Sequence, residues 1–454
     1  MDIGYTTFRY LFGFFVDIFF EEISVIGEIP KTGPVIVAGN HNNAVVDGAI
    51  ICSKIDRQIH FMGKATLFRS AILRPLLKCG GIIPVHRKQD QLSGQRVDNT
   101  ESLKEAIKIL QQNKCFGIFP EGISHNNPYL CELKKGIAYI SIDAITKKVD
   151  PNIDIIPTVS IIPSGLNYLS GGQFQSKCVL YFGDPIIVSP GDSVDDIMNR
   201  LKNGLKKVMM DAQNEKIRGM ADTALNLYLS KNINLLNVSD YVRIKINFLR
   251  AYSVLKDDIL FSTKYNKIKE YHESLYSLGI DDDIVRNKYT KWNSIPEFIK
   301  LCFGTILYLP CLLINFPTIV AIKAATKKFS KKDDMTATVK ITATALSWVG
   351  TYMIYITMLC IYSHICNNGT MFGMYLGKFI MSFLSSCVSL TYVGIQGYKI
   401  IRNSYQKIWK IWNIPSKAIM DKLYENRSEI AKELQSSVTT IIGSHSLDIT
   451  SVSG

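Results

Sequence analysis

The chain has 454 residues, 47% of them hydrophobic and 20% charged, so it is too long for a small disulfide-stapled domain and too apolar for a disordered chain. Lysine and arginine total 52 against 39 aspartate and glutamate residues, and this formal net charge of +13 favours an anionic partner. Basic residues interleave with tryptophan in residues 399–413, which indicates an anionic membrane surface rather than nucleic acid.

The N-terminal segment, residues 1–33, contains an apolar and aromatic run at residues 8–20. Asp17 interrupts this run, and no small-residue cleavage site follows it, so it is not a cleavable signal peptide. The run is too short to cross a bilayer. We therefore predict a helix that lies on, or dips into, the membrane surface.

Residues 34–191 alternate short apolar runs with stretches of helical periodicity, which is typical of an α/β domain. Strands are predicted at residues 34–39, 57–63, 82–87, 115–122, 153–163 and 177–188. Helices are predicted between them at residues 44–55, 67–79, 101–113 and 136–148. The expected fold is a mixed, mostly parallel sheet flanked by helices, with loops at its strand ends available for chemistry.

Residues 192–298 have a charged, helical pattern, and they are followed by a membrane region at residues 299–398. The last segment, residues 399–454, is predicted to be a basic, aromatic juxtamembrane helix that ends in a disordered tail. The ten cysteines include no Cys-x-x-Cys pair and no histidine at zinc-ligand spacing. We expect them to be reduced core thiols in a protein that faces the cytosol.

The membrane region contains three uncharged runs, residues 301–322, 341–363 and 379–396, each long enough to span a bilayer. Basic residues follow the third run, so the positive-inside rule places both outer ends of the last two runs in the cytosol. Pro310 and Pro317 interrupt the first run. We predict that it re-enters the membrane, because a true span would place the cysteine-containing α/β domain in the lumen.

Four blocks of polar residues in the α/β domain are candidates for chemistry. The first contains His41 and Asp47, whose separation of six positions would leave them misaligned on one helix. They can meet if His41 precedes the helix and Asn43 is its N-cap. His41 would then be a neutral base, and Asp47 would fix its tautomer. The alternative is that Asn40 and its neighbours merely close a tight turn.

The second block places Arg87 after Gly81 and Pro84 at a strand end, where its planar guanidinium can bind a phosphate. Lys64, at the end of the preceding strand, offers a second positive charge. The alternative for Arg87 is an ordinary surface residue.

The third block contains Glu121 and Gly122, which can accept hydrogen bonds from a polyol and allow close backbone approach, or can form an ordinary turn. Ser124 and His125 follow, but adjacent side chains on an extended segment point apart, so a hydrolytic triad is not expected. The fourth block contains Pro163 and indicates only that a strand ends in a turn.

The four blocks, in this order, resemble those of the membrane-bound glycerophospholipid acyltransferase superfamily over residues 34–190. The resemblance is closest to the fungal-type glycerol-3-phosphate and dihydroxyacetone-phosphate acyltransferases, because five residues separate His41 from Asp47 where most of the superfamily has four. Ile123 stands where a second glycine is common, and Asn126 where an acidic residue is common.

The resemblance implies acyl transfer from acyl-CoA to the sn-1 hydroxyl of glycerol 3-phosphate, or of dihydroxyacetone phosphate, with His41 as general base and Asp47 as its orienting partner. It implies substrate contacts at Lys64, Gly81, Pro84, Arg87, Glu121, Gly122, Ser124, Lys134 and Pro163. No metal or tightly bound cofactor is needed. The enzyme would contact membrane lipid, could form a homo-oligomer, and would reside in the endoplasmic reticulum membrane with its catalytic domain in the cytosol.

Two other functions stay open on the sequence. A lysophosphatidic acid acyltransferase would use the same base and phosphate ligands on a lipid acceptor. A catalytically silent membrane scaffold could retain the fold, although the joint presence of His41, Asp47, Arg87 and Glu121 argues against that loss.

Overall fold

The computed structural model describes residues 2–69, 73–86, 99–230, 236–256, 258–330, 332–366 and 373–444. Arg87 and the predicted tail after residue 444 lie outside these residues. The chain folds into two compact units. The first unit takes in Met1–Arg218, Leu236–Val254 and Lys332–Thr338, and the second takes in Gly219–Leu235, Leu255–Lys331 and Val339–Gly454.

The first unit is built on a sheet of eight strands. They are β1 (Phe20–Ile26), β2 (Val35–Gly39), β3 (Ile59–Lys64), β4 (Ile83–Val85), β5 (Cys115–Ile118), β6 (Val159–Tyr168), β7 (Ser176–Phe182) and β8 (Ile186–Val188). The order is β1-β7-β6-β2-β5-β3-β4, and β8 also pairs with β6. Strands β6, β2, β5, β3 and β4 run parallel, while β7 and β8 are antiparallel to β6. The predicted mixed, mostly parallel sheet is therefore confirmed.

Six helices flank this sheet in the first part of the chain. They are α1 (Ile3–Phe19), α2 (Val45–Lys54), α3 (Leu73–Cys79), α4 (Thr100–Gln111), α5 (Gly136–Thr146) and α6 (Val194–Val208). Every residue of β2 is buried, as expected for a central parallel strand covered on both faces. One continuous core joins the strand residues Ile36, Phe116 and Ile161 to apolar residues of α4, α5 and α6.

Helix α1 is partly a core element of the first unit. Tyr5 is fully buried, and its hydroxyl accepts a hydrogen bond from the Ile59 N–H at 3.1 Å. The opposite face exposes apolar side chains, with Ile3 at 83%, Tyr10 at 71% and Phe14 at 48% exposure. This exposed face is compatible with the predicted contact with a membrane surface, which stays a prediction.

Three details of the sheet domain differ from the sequence prediction. Strand β1 was not predicted, and its parallel partner β7 lies about 150 residues further along the chain. The predicted helix 67–79 is instead a short 3-10 helix (Ala65–Arg69) followed by α3. The run 177–188 contains two strands rather than one, separated at Gly183, Asp184 and Pro185, residues that interrupt strands.

The remaining helices are α7 (Glu215–Leu229), α8 (Val238–Leu255), α9 (Ile259–Leu278), α10 (Asp282–Arg286), α11 (Ser294–Ile314), α12 (Phe316–Phe329), α13 (Thr336–Cys366), α14 (Gly373–Trp412) and α15 (Lys417–Ser444). Among the described residues, three helical segments are long and apolar enough to cross a membrane: Lys291–Ile314, Asp333–Tyr362 and Ile380–Trp412. They correspond to the three predicted membrane runs. The first run divides between α11 and α12 at Asn315, and Pro317 lies in the first turn of α12.

The nine cysteines whose side chains the structure describes are all free thiols. Five of them are buried, and burial raises the pKa of Cys52 and of Cys115 to about 12. Cys79 and Cys302 are exposed, so the expectation that every cysteine is a core residue is wrong at these two positions.

Candidate active site

The predicted site residues gather at one edge of the sheet. His41 lies two residues beyond the end of β2, Glu121 lies three residues beyond β5, and Lys64 ends β3. Because these strands are parallel and adjacent, their carboxyl ends meet at this edge. The first and third sequence blocks are therefore neighbours in space, as the prediction of one shared site requires.

His41 and Asp47 form the central pair of this site. The His41 Nδ1 atom lies 2.8 Å from Asp47 Oδ2, and both side chains are buried. A carboxylate accepts the hydrogen bond, so Nδ1 carries the proton and Nε2 keeps its lone pair. His41 precedes the helix, as its spacing from Asp47 predicted, and this geometry suits a general base.

The turn between the two residues differs in one respect from the prediction. Asn43 is not the N-cap of α2, because that position is occupied by Ala44, whose φ is 45°. Asn43 instead donates its backbone N–H to Asp47 Oδ2 at 2.8 Å, and Asn42 does the same at 2.8 Å. The Asp47 carboxylate therefore organises the whole turn as well as the imidazole.

Tyr168, the last residue of β6, was not identified from the sequence. Its hydroxyl donates to Asp47 Oδ1 at 2.5 Å, so Asp47 is held by a phenol on one oxygen and by His41 on the other. Burial, and then the charge of Asp47, raises the pKa of Tyr168 well above its usual value, which keeps the phenol protonated as a donor. Tyr168 lies within the fourth block, but 121 positions separate it from Asp47, so only the fold reveals the contact.

Phe119 fixes the plane of the His41 ring. The two rings stack with their centroids 4.2 Å apart and an angle of 5° between their planes, and Phe61 stacks behind Phe119 at 5.5 Å. Gly39 makes room for this arrangement, because a Cβ there would lie 3.1 Å from the Phe119 ring. The His41 imidazole is thus held by a hydrogen bond to Asp47 at one edge and by the Phe119 ring on one face.

Glu121 connects the two site loops. It is buried, and its Oε1 accepts the His41 backbone N–H at 3.1 Å. Its Oε2 accepts the Cys131 N–H at 2.9 Å and bonds to His125 Nε2 at 2.5 Å. Both Glu121 oxygens therefore bond to protein groups. This supports a role in holding the two site loops together, in addition to the predicted role of Glu121 in the glycerol site.

Ser124 and His125 have separate partners, as predicted for adjacent residues on an extended segment. The Ser124 hydroxyl accepts the Ala44 N–H at 3.0 Å, while His125 bonds to Glu121. The N–H groups of Asn42, Asn43 and Ala44 are thus all donated to protein acceptors. These three N–H groups are therefore not available to stabilise an oxyanion.

Three other predicted substrate residues lie in or just before strands β3 and β4. Lys64 pairs with Val85 in the parallel register of β3 and β4, two residues before Arg87 in the sequence. Pro84 is exposed in β4, and Gly81 has a φ of 66°, with a Cβ there lying only 2.6 Å from the His60 ring. Both positions precede Arg87 in the sequence, and Arg87 lies outside the described residues.

Two further predicted residues lie within the third and fourth blocks. The aliphatic part of Lys134 lies beside Gly122, where an added Cβ would be 3.6 Å from Lys134 Cγ, and Gly122 needs its glycine because its φ is 72°. Pro163 is buried within β6, and its ring lies against Gly204 of α6. The fourth block is therefore the interior of a strand, and the predicted turn there is wrong; Gly165 lets the Val208 backbone oxygen approach too closely for any side chain.

One cluster has ligand atoms of a kind that bind metal ions. Glu121, His125 and Cys131 bring such atoms within 4.8 Å of one another. These atoms already have protein partners, because the His125 Nδ1 accepts the Asn127 N–H and the Cys131 sulfur accepts from the Asn127 amide. The hydrogen bonds account for the cluster, and the expectation of a metal-free site stays a prediction.

Two family models match different parts of this chain. A model of the family described as Acyltransferase matches residues 22–165. A second model, the glycerol-3-phosphate acyltransferase 2 C-terminal domain, matches residues 220–443. Each model covers less than half of the chain, one in its first part and the other in its second. The two matches, in this order, confirm the resemblance found in the sequence.

Individual relatives are distant. Glycerol-3-phosphate O-acyltransferases 2 and 1 of Saccharomyces cerevisiae are 26% and 24% identical over 75% of this chain, and the chain spans about half of each, 49% and 47%. An uncharacterized acyltransferase of Schizosaccharomyces pombe is 21% identical over 96% of this chain and 80% of its own length. The solved structure of the 1-acyl-sn-glycerophosphate acyltransferase PlsC from Thermotoga maritima is 20% identical with a TM-score of 0.33, over 44% of this chain and 76% of that one.

Proposed function

We propose that this protein transfers an acyl group from acyl-CoA to the sn-1 hydroxyl of glycerol 3-phosphate, with dihydroxyacetone phosphate as a second acceptor. The observation that carries the proposal is the buried His41 and Asp47 pair, with its Nδ1 to Oδ2 distance of 2.8 Å, at the carboxyl edge of an acyltransferase-family sheet. The names of the two Saccharomyces cerevisiae relatives supply the acceptor.

The chemical step follows from the tautomer of His41. Its Nε2 accepts the proton of the acceptor hydroxyl as the oxygen attacks the thioester carbonyl, and a new C–O ester bond forms. The C–S bond then breaks, and the imidazolium returns the proton to the CoA thiolate. Asp47 stabilises the transient imidazolium, and no covalent acyl-enzyme or cofactor is required.

The acceptor phosphate would bind near Lys64, the last residue of β3. Lys64 and Arg87 would supply the positive charge, with Lys134 as a further candidate. We expect Arg87→Ala to raise the KM for glycerol 3-phosphate about tenfold or more while kcat changes much less, because the phosphate lies away from the reacting atoms. Steady-state kinetics over a range of acceptor concentrations measure both values; a loss confined to kcat would contradict this role.

Membrane residence fits both the product and the structure. The acyl chain and the lysophosphatidic acid product partition into lipid, and three helical segments are long and apolar enough to span it. The exposed apolar face of α1 would lie on the same membrane. We place the protein in the endoplasmic reticulum membrane. Its first unit, which contains the sheet and is called the α/β unit below, would lie in the cytosol, in accordance with the free thiols and the positive-inside rule.

The test is an acceptor panel. Purified protein in phospholipid vesicles is given palmitoyl-CoA with glycerol 3-phosphate, dihydroxyacetone phosphate or lysophosphatidate, and released CoA and the lipid product are measured. The proposal predicts turnover with the first two acceptors. Turnover with lysophosphatidate alone would identify a lysophosphatidic acid acyltransferase, and no CoA release with any acceptor would favour the scaffold.

A further inference from the structure

The first turn of α13 contacts the turn that joins His41 to Asp47. Thr338 Oγ1 donates a hydrogen bond to the backbone carbonyl of Asn43 at 3.0 Å. Two residues earlier, Thr336 lies against Gly172, where an added Cβ would be 3.6 Å from Thr336 Cβ, and Ala337 between them is fully buried. All of these residues belong to the first unit, so the contact is internal to it.

The bonded carbonyl belongs to a peptide group that is held at both of its polar ends. The C=O of Asn43 accepts from Thr338, and the N–H of the same peptide group, that of Ala44, donates to Ser124 Oγ at 3.0 Å. Two side chains from distant parts of the sequence therefore clamp the orientation of the peptide group between residues 43 and 44.

This clamp matters because the backbone at Ala44 is strained. Its φ of 45° and ψ of −120° lie in a region that residues other than glycine rarely adopt. Such strain persists only where the surroundings hold it, at a cost of about 1–3 kcal/mol. The strained residue directly follows Asn42 and Asn43, whose N–H groups bind the same Asp47 oxygen as His41.

We propose that Thr338 is a positioning residue, which clamps the peptide group between residues 43 and 44 and thereby holds Asp47 and His41 in their reactive arrangement. The inference rests on the proposed function for its kinetic consequence. It also assigns a role to Ser124 as the second half of the clamp.

The kinetic experiment compares three variants of the full chain in phospholipid vesicles, with palmitoyl-CoA and glycerol 3-phosphate. Thr338→Val removes the hydroxyl at constant size, Thr338→Ser keeps it, and Thr344→Val is the matched control, because the Thr344 hydroxyl bonds only to Lys340 in its own helix among the described residues. We expect kcat of Thr338→Val to fall about fivefold to tenfold with the acceptor KM within about twofold, from the loss of one hydrogen bond. Thr338→Ser and Thr344→Val retain the parent kcat.

Amide hydrogen exchange separates this inference from the proposed function. We expect the backbone amides of the peptide that covers residues 40–46 to exchange faster in Thr338→Val than in Thr338→Ser or Thr344→Val, whichever acyl acceptor the enzyme uses. Faster exchange in a protein that fails to acylate glycerol 3-phosphate would support the clamp and overturn the acceptor assignment. Unchanged amide exchange in Thr338→Val would overturn the clamp. A loss of kcat in Thr338→Ser as large as that in Thr338→Val would overturn it as well.

Discussion

At the scale of single residues, the chemistry depends on how firmly Asp47 is held. The carboxylate is fully buried, and it accepts hydrogen bonds from His41, from two backbone N–H groups and from Tyr168. Four donors on one carboxylate compensate for the burial of its charge. The result is a rigid, preorganised base whose Nε2 can face a substrate.

Tyr168 provides a direct test of this arrangement. Tyr168→Phe removes a hydrogen bond to a charged acceptor, and we expect kcat to fall about 10-fold to 100-fold with the acceptor KM little changed. Steady-state assays of CoA release over a range of acceptor concentrations measure both values.

Tyr181→Phe is the matched control for this prediction. Tyr181 lies in the neighbouring strand β7, and its hydroxyl makes no hydrogen bond to any residue that the structure describes. It should leave kcat unchanged. A Tyr168→Phe enzyme with the parent kcat would mean that the phenol does not influence His41.

The sequence identified His41 and Asp47 as a candidate pair but not the groups that hold them. Their spacing leaves them misaligned on one helix, so a contact between them required His41 to precede α2. Tyr168 and Phe119 could not be assigned in this way, because one is a strand tyrosine and the other an aromatic residue before Pro120, both common core features. Their contacts arise only from the order of strands in the sheet.

At the scale of elements, local pattern predicted the parallel strands and the long apolar helices but not the pairing of β1. The residues of β1 follow directly on α1 and include two glutamates, so they lack a continuous apolar run. Their partner β7 is distant in sequence, and only tertiary packing selects it. The apolar helices were predictable because length and hydropathy suffice for them.

Helices α11 and α14 pack closely through small residues, as membrane helices commonly do. A Cβ added at Gly394 would lie 2.0 Å from the Cys311 Cβ, whereas one at Gly350 of α13 would have no described atom within 4 Å. We expect Gly394→Ala to lower the melting temperature in detergent by several degrees. Gly350→Ala, the matched control, should leave it unchanged or slightly raised, since alanine favours the helix.

Scanning fluorimetry of the purified variants measures both melting temperatures. Equal values for Gly394→Ala and Gly350→Ala would show that α11 and α14 do not approach as closely as the structure places them.

At the scale of the whole molecule, orientation in the membrane depends on the first apolar run. If this run re-enters, the α/β unit and both outer ends of the last two runs face the cytosol; if it spans, the α/β unit faces the lumen. Exposed Cys79 reports on the α/β unit. We expect a membrane-impermeant maleimide to label Cys79 without detergent in sealed endoplasmic reticulum microsomes that contain the protein, because the outer surface of microsomes is cytosolic.

Mass spectrometry of the peptide that contains Cys79 quantifies this labelling, and Cys79→Ser provides the blank. Labelling that appears only after detergent is added would place the α/β unit in the lumen and would make the first run a true span.

We infer that His41, oriented by Asp47, takes the proton from the acceptor hydroxyl. This role is tested by the turnover of purified His41→Ala in vesicles with palmitoyl-CoA and saturating glycerol 3-phosphate, beside the parent enzyme. We expect kcat to fall by about 10²-fold to 10⁴-fold, the usual contribution of a general base, with the acceptor KM within a few fold. A His41→Ala enzyme that turns over at the parent rate would contradict it.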